Sequence, residues 1–359
     1  MICFSQGEVT AVMGHRPGVT EINIKLELGE AAAINYDLLT GTVAVGDLVL
    51  VNTTAVGLGL GSGGCHFVMA NINNTGRESL RPGHIIKLRY TPNQVKVLAV
   101  EEPASPYYEE FRVSEDLGGM PVVLGLLHSM LPYAAAGIKA ADSTLRVAYI
   151  MSDGGALPLG FSKMVPSLKH RGFLDGTVTI GHAFGGDLEA VNIYTGLLAA
   201  RNVLKADVAV VTMGPGITGT GSTFGFSGME QVSFIDTVDR LGGRPFVIPR
   251  LSMADPRPRH RGVSHHTLTV LDMVHSQATV VFPKLEDEWE EIQDDVEVIA
   301  QGHKVVEVDG MQAHHLLMKS NLKVNSMGRE FEQDPAFFLA AGAAGILAGR
   351  RVAKSICGR

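Results

Sequence analysis

The sequence predicts an α/β protein: a Rossmann-like, three-layer, mostly parallel sheet over residues 106–359, preceded by an all-β, barrel-like domain over residues 1–105. Three observations carry this reading. The chain has 359 residues, too many for one simple core and comfortable for two. Its first hundred residues hold short alternating runs rich in β-branched side chains, punctuated by Gly and Pro. Beyond the Pro- and acid-rich linker Glu101–Pro106, near-continuous apolar runs alternate with helix-length patterns. That alternation is what βαβ units and a sheet covered on both faces require.

In the first part, EVTAVMG, TEINIKLEL, AAAINYD, DLVLVNTTAV, HFVMANI, HIIKLRY and QVKVLAVEE read as strands joined by Gly/Pro turns. A helical connection is expected over 106–144, centred on the apolar Leu124–Ala141. The strands that follow are LRVAYIM (145–151), TVTIG (177–181), DVAVVTM (207–213), RPFVIPR (244–250), ATVVFP (278–283), HKVVEVD (303–309) and LKVNS (322–326). Helices such as DLEAVNIYTGLLAARNVL and EDEWEEIQDDVEVIAQ lie between them. In the latter, Trp289, Ile292, Val296 and Ile299 share one face, and Glu286, Glu288, Glu290 and Asp294 fall mostly outside it. The apolar stretch 336–349 is shorter than the about 20 residues a membrane span needs. Its Gly342, Gly345 and Gly349 predict close approach by a neighbouring helix.

Composition narrows the function classes. The formal charge is -7, which disfavours general nucleic-acid or anionic-membrane binding but permits a local basic pocket. Cys3, Cys65 and Cys357 are far apart, odd in number and outside any CxxC pair. They argue against a disulfide framework and suit a reducing, cytoplasmic compartment. The N-terminus shows no secretory pattern. A homodimer is the default assembly expectation.

Ligands of open α/β sheets bind beyond the carboxyl ends of the strands, so the loops there are read for chemistry. In SDGGALP (152–158), Asp153 faces the crevice as a base, metal ligand or hydroxyl partner, or else forms a turn with its glycines. In GHAFGGD (181–187), His182 is an acid–base group or ligand, or else hydrogen-bonded structure, and Asp187 is placed to cap a helix. MGPGITGTGSTFGFSG (213–228) is the sharpest signal. Gly214, Gly216, Gly219 and Gly221, with Thr218 and Thr220, would let backbone N–H groups and hydroxyls cradle an anion, or would make a flexible lid. It matches neither a Walker loop nor the dinucleotide fingerprint. In LSMADPRPRHRGVSHHT (251–267), Asp255, Arg257, Arg259, His260, Arg261 and His265 make an anion-binding loop, or a surface loop paired with acids elsewhere. Extended backbone would align its three guanidiniums at about 6.5 Å intervals, whereas polyproline would fan them out. Ser264 reads as the N-cap of a helix whose first turn holds His265 and His266. Adjacent residues point differently, so the two histidines need not serve one centre.

Asp153, His182, Asp187, Asp255, His260, His265 and His266 supply metal-ligating atoms without any HxH, HExxH or HxxxH signature. A metal would need the loops to converge. GLGLGSGGCHFV (57–68) reads as a tight hairpin or as a loop leaning on the α/β crevice, and only the second would let His66 reach a ligand; a structural role is the better reading. No serine elbow and no cysteine at a strand end is found.

GLGSGGCHFV, SDGGALP, GHAFGGDLEAVN, GTGSTFGFSG, DPRPRHRGVSHHT and MGREFEQDPAFF resemble a family of uncharacterised bacterial proteins known only as a domain of unknown function. The resemblance spans nearly the whole chain and implies two domains and a bacterial cytoplasm, but no activity, cofactor or catalytic residue. From the residues, the expectation is an enzyme, hydrolase or transferase, acting on a small phosphorylated or nucleotide-like anion. Asp153, His182 and His266 are its candidate proton-transfer groups. The alternatives are a non-catalytic sensor using the same pocket, and nucleic-acid binding through an OB-like barrel.

Overall fold

In the computed structural model, residues 2–61, 63–74, 82–155, 157–285 and 288–356 are described; Cys357 and Glu286 lie outside them. The chain divides into Met1–Leu98 and Ala99–Arg359.

The first unit is built on alternation. Strands β1 (Phe4–Arg16), β2 (Val19–Leu26), β3 (Gly29–Tyr36), β4 (Leu48–Asn52) and β5 (His66–Asn71) close in the order β1-β2-β3-β5-β4. The β3–β5 pairing is parallel and the others are antiparallel. Val9, Ile22, Ile24, Val49, Val51 and Val68 fill the barrel from alternate positions. Register shifts near Val9 and Val12 bend the long β1. A hairpin, β6 (Ile85–Lys87) with β7 (Val95–Val97), follows in the same unit.

The second unit carries β8 (Pro121–Gly125), β9 (Val147–Ser152), β10 (Gly176–Thr179), β11 (Leu188–Glu189), β12 (Val208–Met213) and β13 (Arg244–Val247). A two-residue pair, β14 (Leu251–Ser252) and β15 (Gly262–Val263), precedes β16 (Thr279–Pro283) and β17 (Lys304–Val308). Eight strands form one sheet in the order β11-β10-β9-β12-β8-β13-β16-β17, every pairing parallel. β8, β9 and β12 are buried at every residue, as a sheet covered on both faces demands. One helical layer holds Leu131–Ala141, Met311–Lys319 and Pro335–Ile356, packed together; the other runs through Ile193–Asn202, Glu230–Arg240, His265–Met273 and Gln293–Gly302.

Four expectations are corrected. The helix read from Leu124 begins only at Leu131, because Pro121–Gly125 is a central strand followed by a single 3-10 turn. A five-residue apolar run is too short for periodicity to separate strand from helix. LKVNS is not a strand; its Ser326 pairs only with Arg329 in an isolated bridge. Glu101–Pro106 is not a free connector, since Ala99 bridges to Glu189 and the Glu101 carboxylate accepts from the Val191 N–H. Asp187 caps no helix: Asn192 does, in a reciprocal box with Thr195.

The strand order opens two crevices. From β9 the chain leaves for β10, whereas from β12 it crosses back to β13. From β8 it leaves towards β9, whereas from β13 it continues outward to β16. The loops above β9/β12 and above β8/β13 therefore part company, and each parting leaves a place for a ligand.

Candidate functional site

The crevice beside β13 is framed by the arginine-rich loop. Leu251 faces Val263 and Ser252 faces Gly262, so the short β14–β15 ladder staples both ends of the segment between them. Within it Pro258–His260 forms one 3-10 turn, so the guanidiniums neither line up nor fan out evenly. Asp255 anchors the loop. Its buried carboxylate accepts from Arg257 N and Nε at 3.0 and 2.9 Å and from Arg257 Nη2 at 2.8 Å. Arg250 and Arg329 stand 3.8 and 3.6 Å away. These bonds, Arg257's first, hold the Asp255 carboxyl far below the usual carboxylate range. Arg329 also reaches Asp334 at 3.0 Å, which accepts from the Ser252 hydroxyl. Arg257 is thus tied down, and Arg261 pairs with Glu291 at 3.2 Å. Arg259 differs: it is exposed, and among the described residues no carboxylate pairs with it.

Three histidines gather under this loop. Ser264 caps the helix His265–Met273, its hydroxyl oxygen accepting from the His266 N–H. His260 Nδ1 lies 2.7 Å from the same oxygen. Arg250 Nη1 lies 3.1 Å from His266 Nδ1, and Arg259 Nε lies 3.3 Å from His260 Nε2. A guanidinium can only donate, so each of those ring nitrogens carries a lone pair. Neutral His260 therefore donates through Nδ1 to Ser264, and neutral His266 keeps its proton on Nε2. Burial first, then Arg250, lowers His260 to about 4 and His266 to about 3. His265 shifts the same way, by burial and then Arg259. The ring centroids of His265 and His266 are 4.4 Å apart, and His260 lies 5.1 and 4.9 Å from them. The three rings thus form one cluster, because His260 descends from the 3-10 turn to meet both neighbours.

The glycine-rich loop closes on this cluster. Phe226 stacks on His266 at 3.8 Å and 8°. Thr220 N–H donates to Gly225 O at 2.7 Å and Ser227 N–H to Thr218 O at 2.9 Å, folding the loop back on itself. A Cβ at Gly219 would stand 3.5 Å from His266 Nε2, and one at Gly221 4.0 Å from Arg259 Nη1. The far half of the loop thus brings its backbone to the imidazoles and the Arg259 guanidinium.

Its near half belongs to the other crevice. Gly214 packs against Met151, and Gly216 holds φ +106°, which a side chain would strain. There the Asp153 carboxylate accepts from the His182 N–H at 3.1 Å. The Ser152 hydroxyl donates to Glu230, at the start of the helix Glu230–Arg240. Burial, reinforced by Asp153, raises Glu230 to about 7 against the pull of Ser152. Asp187 lies elsewhere, bound to Lys169 at 2.6 Å and to Thr177.

A cavity of about 360 Å³ adjoins these loops, walled by Leu127, Pro132, Met164, Ile217 and Met327. Met327 joins it to the arginines, its sulfur accepting from Arg250 and Arg257 at 3.6 Å. His128 lines it too, 2.7 Å from the Ser162 hydroxyl and lowered by burial to about 4. A larger hollow of about 720 Å³ lies between the helices His265–Met273 and Gln293–Gly302, on the side where β16 and β17 begin.

The fifteen candidates thus fall into two groups: Asp153, His182, Gly214 and Gly216 around β9/β12, and the remainder along the β13 side from Thr218 to His266. Sequence reasoning passed over Arg250, Glu230, Arg329 and Asp334. Arg250 ends a predicted strand and Glu230 opens a helix just past the glycines. Arg329 and Asp334 carried no local signal of the site, since the loop residues they hold, Asp255 and Ser252, lie far back in the chain.

Residues 32–345 match the family described as a protein of unknown function (DUF3866). The chain belongs to the DUF3866 family. The matched stretch includes every residue of both groups. No curated protein matches the chain. Among the described residues no helix is long and apolar enough to cross a membrane.

Proposed function

We propose that this DUF3866 protein is an enzyme that binds a small anionic metabolite, a phosphate ester or nucleotide, and acts on it as a hydrolase or transferase. The observation that carries this is Arg259. It is an exposed guanidinium without a carboxylate partner among the described residues, set between the open backbone at Gly221 and the imidazole cluster. Arginine forks match phosphate and carboxylate oxygens, and glycine backbone admits them closely. Beneath it, Arg250, Arg257 and Arg329 share the Asp255 carboxylate, so positive charge prevails. A sensor pocket needs only such donors. The three histidines beside it favour chemistry. His266, Asp153 and His182 are the proton-transfer candidates, and Glu230, raised to about 7, joins them as the carboxyl best tuned to neutral pH. A bacterial cytoplasm suits the unpaired Cys3 and Cys65 and the family resemblance.

Calorimetric titration with inorganic phosphate, nucleotides and sugar phosphates tests the reading. Arg259→Ala is expected to weaken binding tenfold or more, since a charge-assisted bond is worth about 1.5–3 kcal/mol. Folded protein that binds none of these anions, or an Arg259→Ala variant of unchanged affinity, would remove the site.

A further inference from the structure

We propose that His260, His265 and His266 form a binding site for a divalent transition metal of the zinc class. One ring nitrogen from each lies within 4.8 Å of the other two. Tetrahedral coordination at about 2.0–2.1 Å puts nitrogens roughly 3.3 Å apart, so modest ring rotations complete the tripod.

Two details favour an ion over a simple packing cluster. His265 Nε2 is buried and has no hydrogen-bond partner among the described residues, whereas buried polar atoms ordinarily have one. His260 already has the support that metal ligands use: its Nδ1–H is held by Ser264, which leaves Nε2 as the free lone pair. The group that meets this lone pair is Arg259, an exposed side chain able to swing aside. An ion at His266 must displace either Arg250 from Nδ1 or the proton from Nε2, so His266 is the weakest of the three ligands. An all-nitrogen set suits Zn²⁺, Co²⁺, Ni²⁺ or Cu²⁺ and not Mg²⁺ or Ca²⁺.

Three protein ligands leave a fourth position open. Arg250 and Arg259 repel a bare dication, so the favoured species is a metal that carries an anion there. The tripod stands without the anion reading, but this coupling rests on it. If the coupling holds, zinc and phosphate tighten each other's binding by the same factor.

The test uses metal-stripped, full-length protein titrated with ZnCl₂ by calorimetry and with Co²⁺ by visible absorption. One Zn²⁺ per chain is expected, with the intense bands of four-coordinate Co²⁺. Affinity should fall by roughly a hundredfold in His265→Ala and in His265→Gln, both checked for folding by circular dichroism. Arg259→Ala should keep or raise zinc affinity while weakening phosphate. Folded wild type that binds no zinc tightly, or zinc binding indifferent to both His265 variants, overturns the metal site. If phosphate binding survives in that case, the anion reading stands alone. Zinc binding that depends on His265 in a phosphate-silent protein supports the metal site and removes the anion reading.

Discussion

Glu230 and Asp255 show how the same fold moves two carboxyls in opposite directions. Asp255 is surrounded by guanidiniums and stays ionised, whereas Glu230 faces a hydroxyl and another acid and gives up its charge near neutrality. The sign of the stability effect follows. Glu230 is raised from 4.5 to about 7, so its contribution is complete below the unfolded value and is lost as pH rises through the folded one. Glu230→Gln, which needs no ionisation, is expected to gain on wild type in thermal melts from about pH 5 to about pH 8. The gain should reach at most on the order of 3 kcal/mol. A difference flat across that range would show that Glu230 ionises freely in the fold. At this scale the sequence was half legible. The anion-loop residues were visible because Arg, Gly and Thr cluster locally. Two of the three arginines turned out to be neutralised, by Asp255 and by Glu291. Glu230 was invisible because its perturbation comes from burial beside Ser152 and Asp153, far away in the chain.

Among the elements, the pairing of Leu131–Ala141 with Pro335–Ile356 depends most on single residues. A Cβ at Gly345 would lie 2.1 Å from the Ala134 carbonyl oxygen, and one at Gly137 would lie 2.3 Å from that of Gly342. Both obstacles are backbone, which cannot rotate away. Gly345→Ala is therefore expected to cost about 3 kcal/mol or more in chemical denaturation. Gly302→Ala, with nothing within 4 Å, should be close to neutral and serves as control. Equal stability of the two variants would mean that the helices stand further apart than described. The glycine spacing announced this contact in the sequence, as apolar alternation announced the barrel and as β-branched runs announced β9, β12, β16 and β17. β8 escaped because a short run buried on both faces has no period, and because it merges into the apolar helix that follows.

For the whole molecule, the site residues all belong to Ala99–Arg359. A fragment of residues 99–359 is expected to fold cooperatively and to retain the phosphate and zinc affinities of the full chain within about threefold. Its core is its own, and additivity holds for distant parts. A fragment that folds but binds neither ligand would place an essential part of the site in the barrel. The long closing helix also governs how the protein is made. Strand β8 contacts a helix that begins only at Pro335. At ordinary ribosome speeds that separation amounts to on the order of 10–40 s. During this interval the barrel segment has already been made, while β8, β16 and β17 wait for the one helix that completes their cover on one face.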